Sequence, residues 1–355
     1  MKVCVVFCTI RSTKAFGQYA VNFHKHGHDP EIIIVDETGE HRKLIRKQME
    51  GFSLEFYGQK ERADWFKLHH VKPNTVPSKT TDVIGFSLLV AYPRKYDMIV
   101  FLDDDTYPVN NDLLGEHWET LNTRAMNVCT SNNRWINPYI PTVYTRGYPY
   151  SLRSSDKLTV TKNMKVGSVL NMGLWHEVPD LNALDYLFHG SLQGVYTHPT
   201  PSWKTGFIVN KNCYMPLSRM NIAFKPKIIP AFYQWTGNEF GIGRYGDVFS
   251  GLLVQKIAGH LGDNISYGVP ACLHDKEPRD VFKDIGCELE AVKLNENFWK
   301  ILDQVELTGK SYADCYLELA DGLEQRKSLF HLPEYITFLT ERMRGWVKTV
   351  EETSK

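Results

Sequence analysis

The sequence carries no excess charge of either sign: Lys and Arg total 41 and Asp and Glu total 41 among 355 residues. That balance argues against a broad, non-specific polyanion binder, although a local basic cleft fits inside a neutral total. It also lacks any CxxC pair. The seven cysteines (Cys4, Cys8, Cys129, Cys213, Cys272, Cys287 and Cys315) are scattered and odd in number, so neither a disulfide framework nor a zinc ribbon is supported. Most of them read as small core residues in a reducing compartment. No window offers the roughly eighteen clean apolar residues of a membrane span. The opening run MKVCVVFCTIRSTK loses its apolar character at Thr9-Ile10-Arg11, too soon for a signal h-region. A cytoplasmic protein with no membrane span is the expectation. Internal repeats and low-complexity tracts are absent as well.

What is present is ordinary globular composition, 43% hydrophobic and 23% charged. A chain this long buries about three-quarters of its unfolded surface and needs no staple to hold a core. Residues 2–9 form a continuous apolar run, the mark of a strand buried on both faces. A helix closing near Gly27 follows, then a second buried run, Glu31 to Val35, ending at Asp36. Further along come a helical stretch near 40–50, a short strand near Ser53–Tyr57, and a buried helix from Ser78, its candidate N-cap, to Tyr92. A third buried strand, Met98–Leu102, runs into Asp103-Asp104-Asp105. Strands alternating with helices predict an α/β, doubly wound, mostly parallel sheet, whose ligands bind beyond the carboxyl ends of the strands. Those ends carry Thr9–Arg11, Asp36 and the acidic triplet. From 130 to 205 the composition turns Tyr-, Pro-, Asn- and Ser-rich and reads as long structured loops. A helix at about 247–261 closes at Gly262, and after about 290 the chain reads as helices.

Three adjacent carboxylates at the end of a buried strand repel one another unless a cation neutralises them. Strand alternation points Asp103 and Asp105 the same way and Asp104 the other. A hard divalent ion with oxygen ligands, Mg²⁺ or Mn²⁺, bridging a substrate diphosphate is the natural partner. A solvated acidic turn is the plainer alternative. His274, at the end of the run Ala271-Cys272-Leu273, is a candidate further ligand, or else a structural histidine. The HKHGH run (His24, His26, His28) reads as a helix cap rather than a metal site. GIGRYG (241–246) matches GxGxxG literally but follows no convincing strand, so it carries little weight for a dinucleotide. Arg244 within it is free to meet phosphate, and Asp247 heads the next helix as a cap or a general base. Arg146 and Arg153, with Tyr148 and Tyr150 between them, are either surface stacking pairs or phosphate ligands. An arginine nucleophile is not something these residues alone suggest, because guanidinium stays protonated at any working pH.

Taken in order, CTIR (8–11), FLDDD (101–105), RGYPYSLR (146–153), GLWHEVPDLNA (173–183), MPLSRMNIAF (215–224), IGRYGDVFSG (242–251), the GVPACLH segment and CYLELADGL (315–323) resemble the reversibly glycosylated polypeptides, or UDP-arabinopyranose mutases. The resemblance is co-linear over nearly the whole chain. It implies a GT-A-like nucleotide-sugar transferase fold over residues 1–290 and a helical region over 291–355 packed on it. It also implies a UDP-sugar ligand and self-glycosylation on an arginine. Asp103-Asp104-Asp105 match the family's metal and diphosphate site, Arg146 the reversibly glycosylated arginine, and Arg153 a second arginine needed beside it. The family's GLWxxIPDYDA becomes GLWHEVPDLNA, so Asp180 is kept while Asn182 replaces an acid. Its RYDDMW becomes RYGDVF, so Gly246 replaces an acid and Asp247 is kept.

On this resemblance Asp103 and Asp105, with His274, would hold Mn²⁺ or Mg²⁺. Thr9, Arg11, Asp36 and Lys79 would hold uridine, by analogy with the fold. Asp104, Asp180 and Arg244 are the remaining nucleotide-sugar candidates, and Asp247 is the candidate to take a proton from Arg146. The activity implied is interconversion of the pyranose and furanose forms of a UDP-sugar. Two rivals stand beside it: transfer of the sugar to a separate acceptor, and a non-catalytic nucleotide-sugar-binding subunit. A UDP-sugar is the expected partner and nucleic acid is not; a homo-oligomer stays open.

Overall fold

The computed structural model describes residues 1–354 except 123, 140–142, 156, 198–205 and 236, and it gives the side chains of all of these but 162 and 163. The chain runs β1 (Val3–Thr9), α1 (Ala15–Lys25), β2 (Glu31–Asp36), α2 (Arg42–Gln48), β3 (Leu54–Tyr57), α3 (Gln59–Leu68), α4 (Gly85–Ala91), β4 (Met98–Asp103), β5 (Thr106–Pro108) and α5 (Leu113–Asn122). It continues with β6 (Ala125–Ser131), β7 (Leu158–Lys165), β8 (Leu170–Glu177), α6 (Ala183–Phe188), β9 (Phe207–Val209), β10 (Asn221–Phe224), α7 (Gly246–Leu261) and β11 (Ile265–His274). Three long helices close it: α8 (Val281–Asp303), α9 (Tyr312–Gln325) and α10 (Pro333–Thr353). Among the described residues no helix is long and apolar enough to cross a membrane.

One sheet, in the order β3-β2-β1-β4-β10-β8-β11-β9-β6-β7, runs through the molecule, with β5 paired to β11. β3, β2, β1 and β4 are mutually parallel, as the apolar runs predict. Beyond β4 the sheet becomes mixed, because β10 lies antiparallel to both β4 and β8. The period-two geometry of a strand explains why these runs are apolar throughout. Val3, Val5 and Phe7 enter one core with α1 and α5, while Cys4 and Val6 enter another with α4 and the C-terminal helices.

Direction matters more for the site than layering does. β1, β2, β4, β8 and β11 all point the same way, so their carboxyl ends share one edge of the sheet. β10 runs against them and starts at that edge. Residues just after the first five, and just before β10, are therefore brought together whatever their distance in sequence.

Several expected boundaries move. Ser78 caps nothing: Thr80 Oγ1 accepts from the Asp82 N–H at 3.2 Å, a 3₁₀ turn spans Thr81–Ile84, and α4 begins only at Gly85. The stretch read as loops contains β7, which pairs antiparallel with β6 as the last strand of the sheet, and β8 in the sheet's interior. β7 (LTVTKNMK) alternates weakly because it is an edge strand with much of its surface exposed. The position 290/291 lies inside the continuous helix α8. α9 and α10 pack together and against residues 226–231, where Trp346 Nε1 donates to Ile229 O at 2.9 Å.

Candidate functional site

A cleft of about 690 Å³ opens at the carboxyl edge of the parallel strands. Thr9, Arg11, Lys79, Asp103, Asp104 and Asp105 line it, as expected from sequence. Thr9 Oγ1 donates to Asp104 Oδ2 at 2.6 Å, and Arg11 reaches Asp104 Oδ1 through Nε at 3.2 Å and NH2 at 2.9 Å. Burial pushes the Asp104 carboxyl above its usual range, and those bonds only partly offset it. Asp104 thus ties β4 to β1. Asp103 is pushed up to about 7 by burial and by the charge of Asp105.

His274 is buried and stands beside the triplet because β11 pairs antiparallel with β5, setting His274 opposite Thr106. Its Nδ1 donates to Val178 O at 2.7 Å, which leaves Nε2 toward Asp105 Oδ2 at 3.8 Å. Burial opposes a charge on either group, yet they stabilise one another: Asp105 is held low and His274 is raised. Among the described residues no three His, Cys, Asp or Glu side chains converge as a metal cage. The donor set nevertheless suits a hard divalent ion. Asp105 Oδ1 is buried without a hydrogen-bond partner, an orphan acceptor beside a second carboxylate and an imidazole nitrogen.

Asp36 departs from its expected role. It is buried, and its carboxylate is used up locally: Oδ1 accepts from the N–H groups of Thr38 at 3.0 Å and Gly39 at 2.8 Å, and Oδ2 from Arg42 Nε at 3.1 Å. The adjacent Glu37 lines the cleft instead, with Gln59. Lys276 and Arg219 also line it, and sequence reasoning missed both. A signal existed for Lys276, two residues beyond His274. None existed for Arg219, whose place depends on the reversed direction of β10.

The remaining predicted residues do not line the cleft; they form a buried charged cluster. Arg146 has only 9% of its side chain exposed. Its Nε donates to both oxygens of Asp180 at 3.1 Å, and NH2 donates to Asp180 Oδ2 at 2.9 Å and Asp247 Oδ2 at 2.7 Å. NH1 donates to Asp247 Oδ1 at 3.0 Å and to Arg244 O. Burial works against the guanidinium charge, but the two carboxylates more than offset it and raise the Arg146 pKa further. Asp180, also opposed by burial, is pulled down to about 2 by Arg146.

Arg244 is not free for phosphate, because it is paired with Asp284 and, at 3.0 Å through Nε, with Glu288. Arg153 makes a bidentate pair with Asp185 at 2.5 and 2.8 Å and lies 3.6 Å from the centroid of the Tyr150 ring. Asn182 is fully buried and holds the loop around Arg146, accepting from Tyr245 OH and from the Gly147 N–H at 3.4 Å. The HKHGH histidines stay away from the cleft: His24 is in the last turn of α1, and His28 Nε2 pairs with Asp112 Oδ1 at 2.6 Å.

The fold and this pair of neighbouring sites define an α/β protein with an acidic, strand-end ligand cleft backed by a buried arginine–carboxylate cluster. Residues 1–355 match the family described as reversibly glycosylated polypeptide, and the chain belongs to that family. It is 26% identical over 358 residues to the probable UDP-arabinopyranose mutase 1 of Pisum sativum, spanning 98% of this chain and 90% of that protein. It is also 26% identical over 333 residues to UDP-arabinopyranose mutase 1 of Arabidopsis thaliana, spanning 91% and 86%. Among solved structures it is similar to glucosyl-3-phosphoglycerate synthase from Mycobacterium tuberculosis in complex with Mn²⁺, UDP and phosphoglyceric acid. That likeness has a TM-score of 0.40 and 14% identity, over 83% of this chain and 78% of the other.

Proposed function

We propose that this protein is a metal-dependent, GT-A-like UDP-sugar mutase that carries the glycosyl group on Arg146 while the sugar changes ring form. The observation behind this reading is the Arg146 clamp: Asp247 Oδ2 lies 2.7 Å from NH2 and can take the proton that must leave before nitrogen attacks. Relatives named UDP-arabinopyranose mutase support the substrate class.

Asp103 and Asp105, with His274 Nε2, would hold Mn²⁺ or Mg²⁺, which supplies charge neutralisation to the diphosphate. Thr9 and Lys79 bind the nucleotide, while Arg11 fixes Asp104. At the sugar, the C1–O bond to the β-phosphate breaks and its electron pair stays on UDP. The Arg146 NH2 proton passes to Asp247 and the C1–N bond forms. The sugar then opens and recloses through a different hydroxyl. UDP oxygen attacks C1, the C1–N bond breaks, and the proton returns from Asp247 to nitrogen. Atoms and charge balance, and no further reactant is needed.

Incubation with UDP-arabinopyranose, UDP-glucose or UDP-galactose and Mn²⁺, read by intact mass and nucleotide-sugar chromatography, tests this reading. A sugar adduct and a furanose product, both lost in Arg146→Lys, are expected. UDP release without an adduct or a furanose product would count against it.

A second reading, transfer to a separate acceptor, draws support from the burial of Arg146 and from the engagement of every one of its nitrogens. It predicts that Arg146→Lys keeps most of the transfer.

A further inference from the structure

Arg219 reaches the cleft from the residue pair just before β10. The Asp103 N–H donates to Met220 O at 3.1 Å, so Arg219, one residue earlier, stands beside the acidic triplet on the side away from β1. It is nine-tenths buried at the cleft wall, and it is held from behind. NH1 donates to Asp82 Oδ1 at 2.5 Å and to Gln234 Oε1 at 3.3 Å. Gln234 is itself oriented by a bond from its Nε2 to Ser250 Oγ at 3.0 Å. Asp82 is buried in a 3₁₀ turn between the cleft residues Thr80 and Thr81 and the helix α4. Nε and NH2 of Arg219 make no hydrogen bond among the described residues.

Of the other cleft cations, Lys79 makes no hydrogen bond or ion pair among the described residues, while the rest are engaged. Arg11 is taken by Asp104, Asp105 and Glu277, and Arg279 by Asp284. Lys276 Nζ donates to Gly194 O at 2.5 Å and lies 3.8 Å from the centroid of the Tyr186 ring. Among the described residues Arg219 is thus the buried cleft arginine with an open planar edge; Arg279, held through NH2 alone, has 54% of its side chain exposed. A guanidinium anchored through one nitrogen and open along the Nε–NH2 edge matches two oxygens of one phosphate.

Its position along the sheet edge selects which phosphate. Adjacent strands lie about 4.8 Å apart. The order is Glu37 after β2, Thr9 and Arg11 at β1, the acidic triplet at β4, Arg219 at β10, and Asp180 with its partner Arg146 after β8. A nucleotide sugar with its base at the β1–β2 end and its sugar toward Arg146 sets its distal phosphate at β4–β10.

We propose that Arg219 is a ligand of the β-phosphate of the bound nucleotide, with Asp82 and Gln234 as the residues that position it. This rests on the UDP-sugar reading above. Asp82 also borders Gly246. A side chain at Gly246, where the pattern has an acid, would have its Cβ 2.8 Å from Asp82 Oδ1 and against Trp235 O.

Calorimetric titration of UDP and UMP, each with Mn²⁺, tests the assignment. The wild type is compared with Arg219→Lys, Asp82→Asn and the double variant Asp82→Asn/Arg219→Gln, which removes the Arg219–Asp82 pair together if single variants misfold. Loss of one charge-assisted contact is expected to weaken UDP binding by about 10- to 100-fold in the double variant, with UMP changed by less than about threefold. Asp82→Asn should fall between the two, and Arg219→Lys should recover only part of the loss. Equal weakening of UDP and UMP, or no weakening of UDP in a folded double variant, would overturn the assignment. If the wild type binds neither nucleotide, the UDP-sugar reading itself falls, a result distinct from either.

Discussion

Arg146 and Asp247, 101 residues apart in sequence, meet through two parallel hydrogen bonds, NH1 to Oδ1 at 3.0 Å and NH2 to Oδ2 at 2.7 Å. The same carboxylate therefore fixes the guanidinium and, in the mechanism proposed above, accepts its proton. Asp247→Asn keeps the shape and removes the base. Adduct formation, followed by time-resolved intact mass, should slow by about 10²- to 10⁴-fold. UDP affinity should hardly change, because Asp247 does not line the cleft. A variant that forms adduct at the wild-type rate would remove Asp247 from the reaction.

Asp105 makes a second case, about the metal. Its Oδ1 is a buried acceptor without a partner, and its Oδ2 faces His274. Mn²⁺ should tighten UDP binding in the wild type, EDTA should reverse the effect, and Asp105→Asn should abolish the difference. Equal affinity with and without Mn²⁺ in the wild type would show that the triplet works without a cation.

His117 predicts how stability responds to pH. It is fully buried; Asn171 Nδ2 donates to its Nδ1 at 2.9 Å, and its Nε2–H donates to Asn221 Oδ1 at 3.0 Å. Both amides are fixed by further bonds, Asn171 Nδ2 to Val269 O at 2.7 Å and Asn221 Nδ2 to Pro270 O at 2.9 Å. The imidazole is therefore held neutral. Burial lowers its pKa to about 4, which the bond to Asn221 only partly opposes. A depressed histidine contributes stability that is fully present above its unfolded pKa of about 6.5 and is lost as pH falls through the folded value. Between pH 7 and pH 4 this residue should cost roughly 3 kcal/mol at most. Denaturant melts at pH 7, 5.5 and 4.5 measure it, and His117→Gln should flatten the curve over that window.

Gly246 opens α7 where there is no room for a side chain, with Trp235 O and Asp82 Oδ1 in the way. Gly246→Ala should destabilise the protein by about 1–3 kcal/mol through overpacking, read as a lowered thermal midpoint. An unchanged midpoint would mean that the start of α7 yields.

Much of the N-terminal half was legible because local chemistry decides it. An apolar run flanked by turns becomes a strand buried on both faces, and an acidic triplet at its end must face a cation or solvent. β1, β2, β4 and α7 fall close to where their apolar patterns set them. β7 was not legible, since an edge strand buries too little to impose alternation.

The sequence by itself determined the alternating α/β plan, the acidic strand end, the absence of long apolar helices among the described residues and, through co-linear motifs, the family. Only the tertiary structure decided the partners. Arg244 was claimed by Asp284 and Glu288, and Arg219 was delivered to the cleft with Asp82 behind it. The physical reason is strand direction. A run's hydrophobicity sets that it is buried, but which residues reach one edge depends on how β10 and β11 enter the sheet, and no local pattern encodes that.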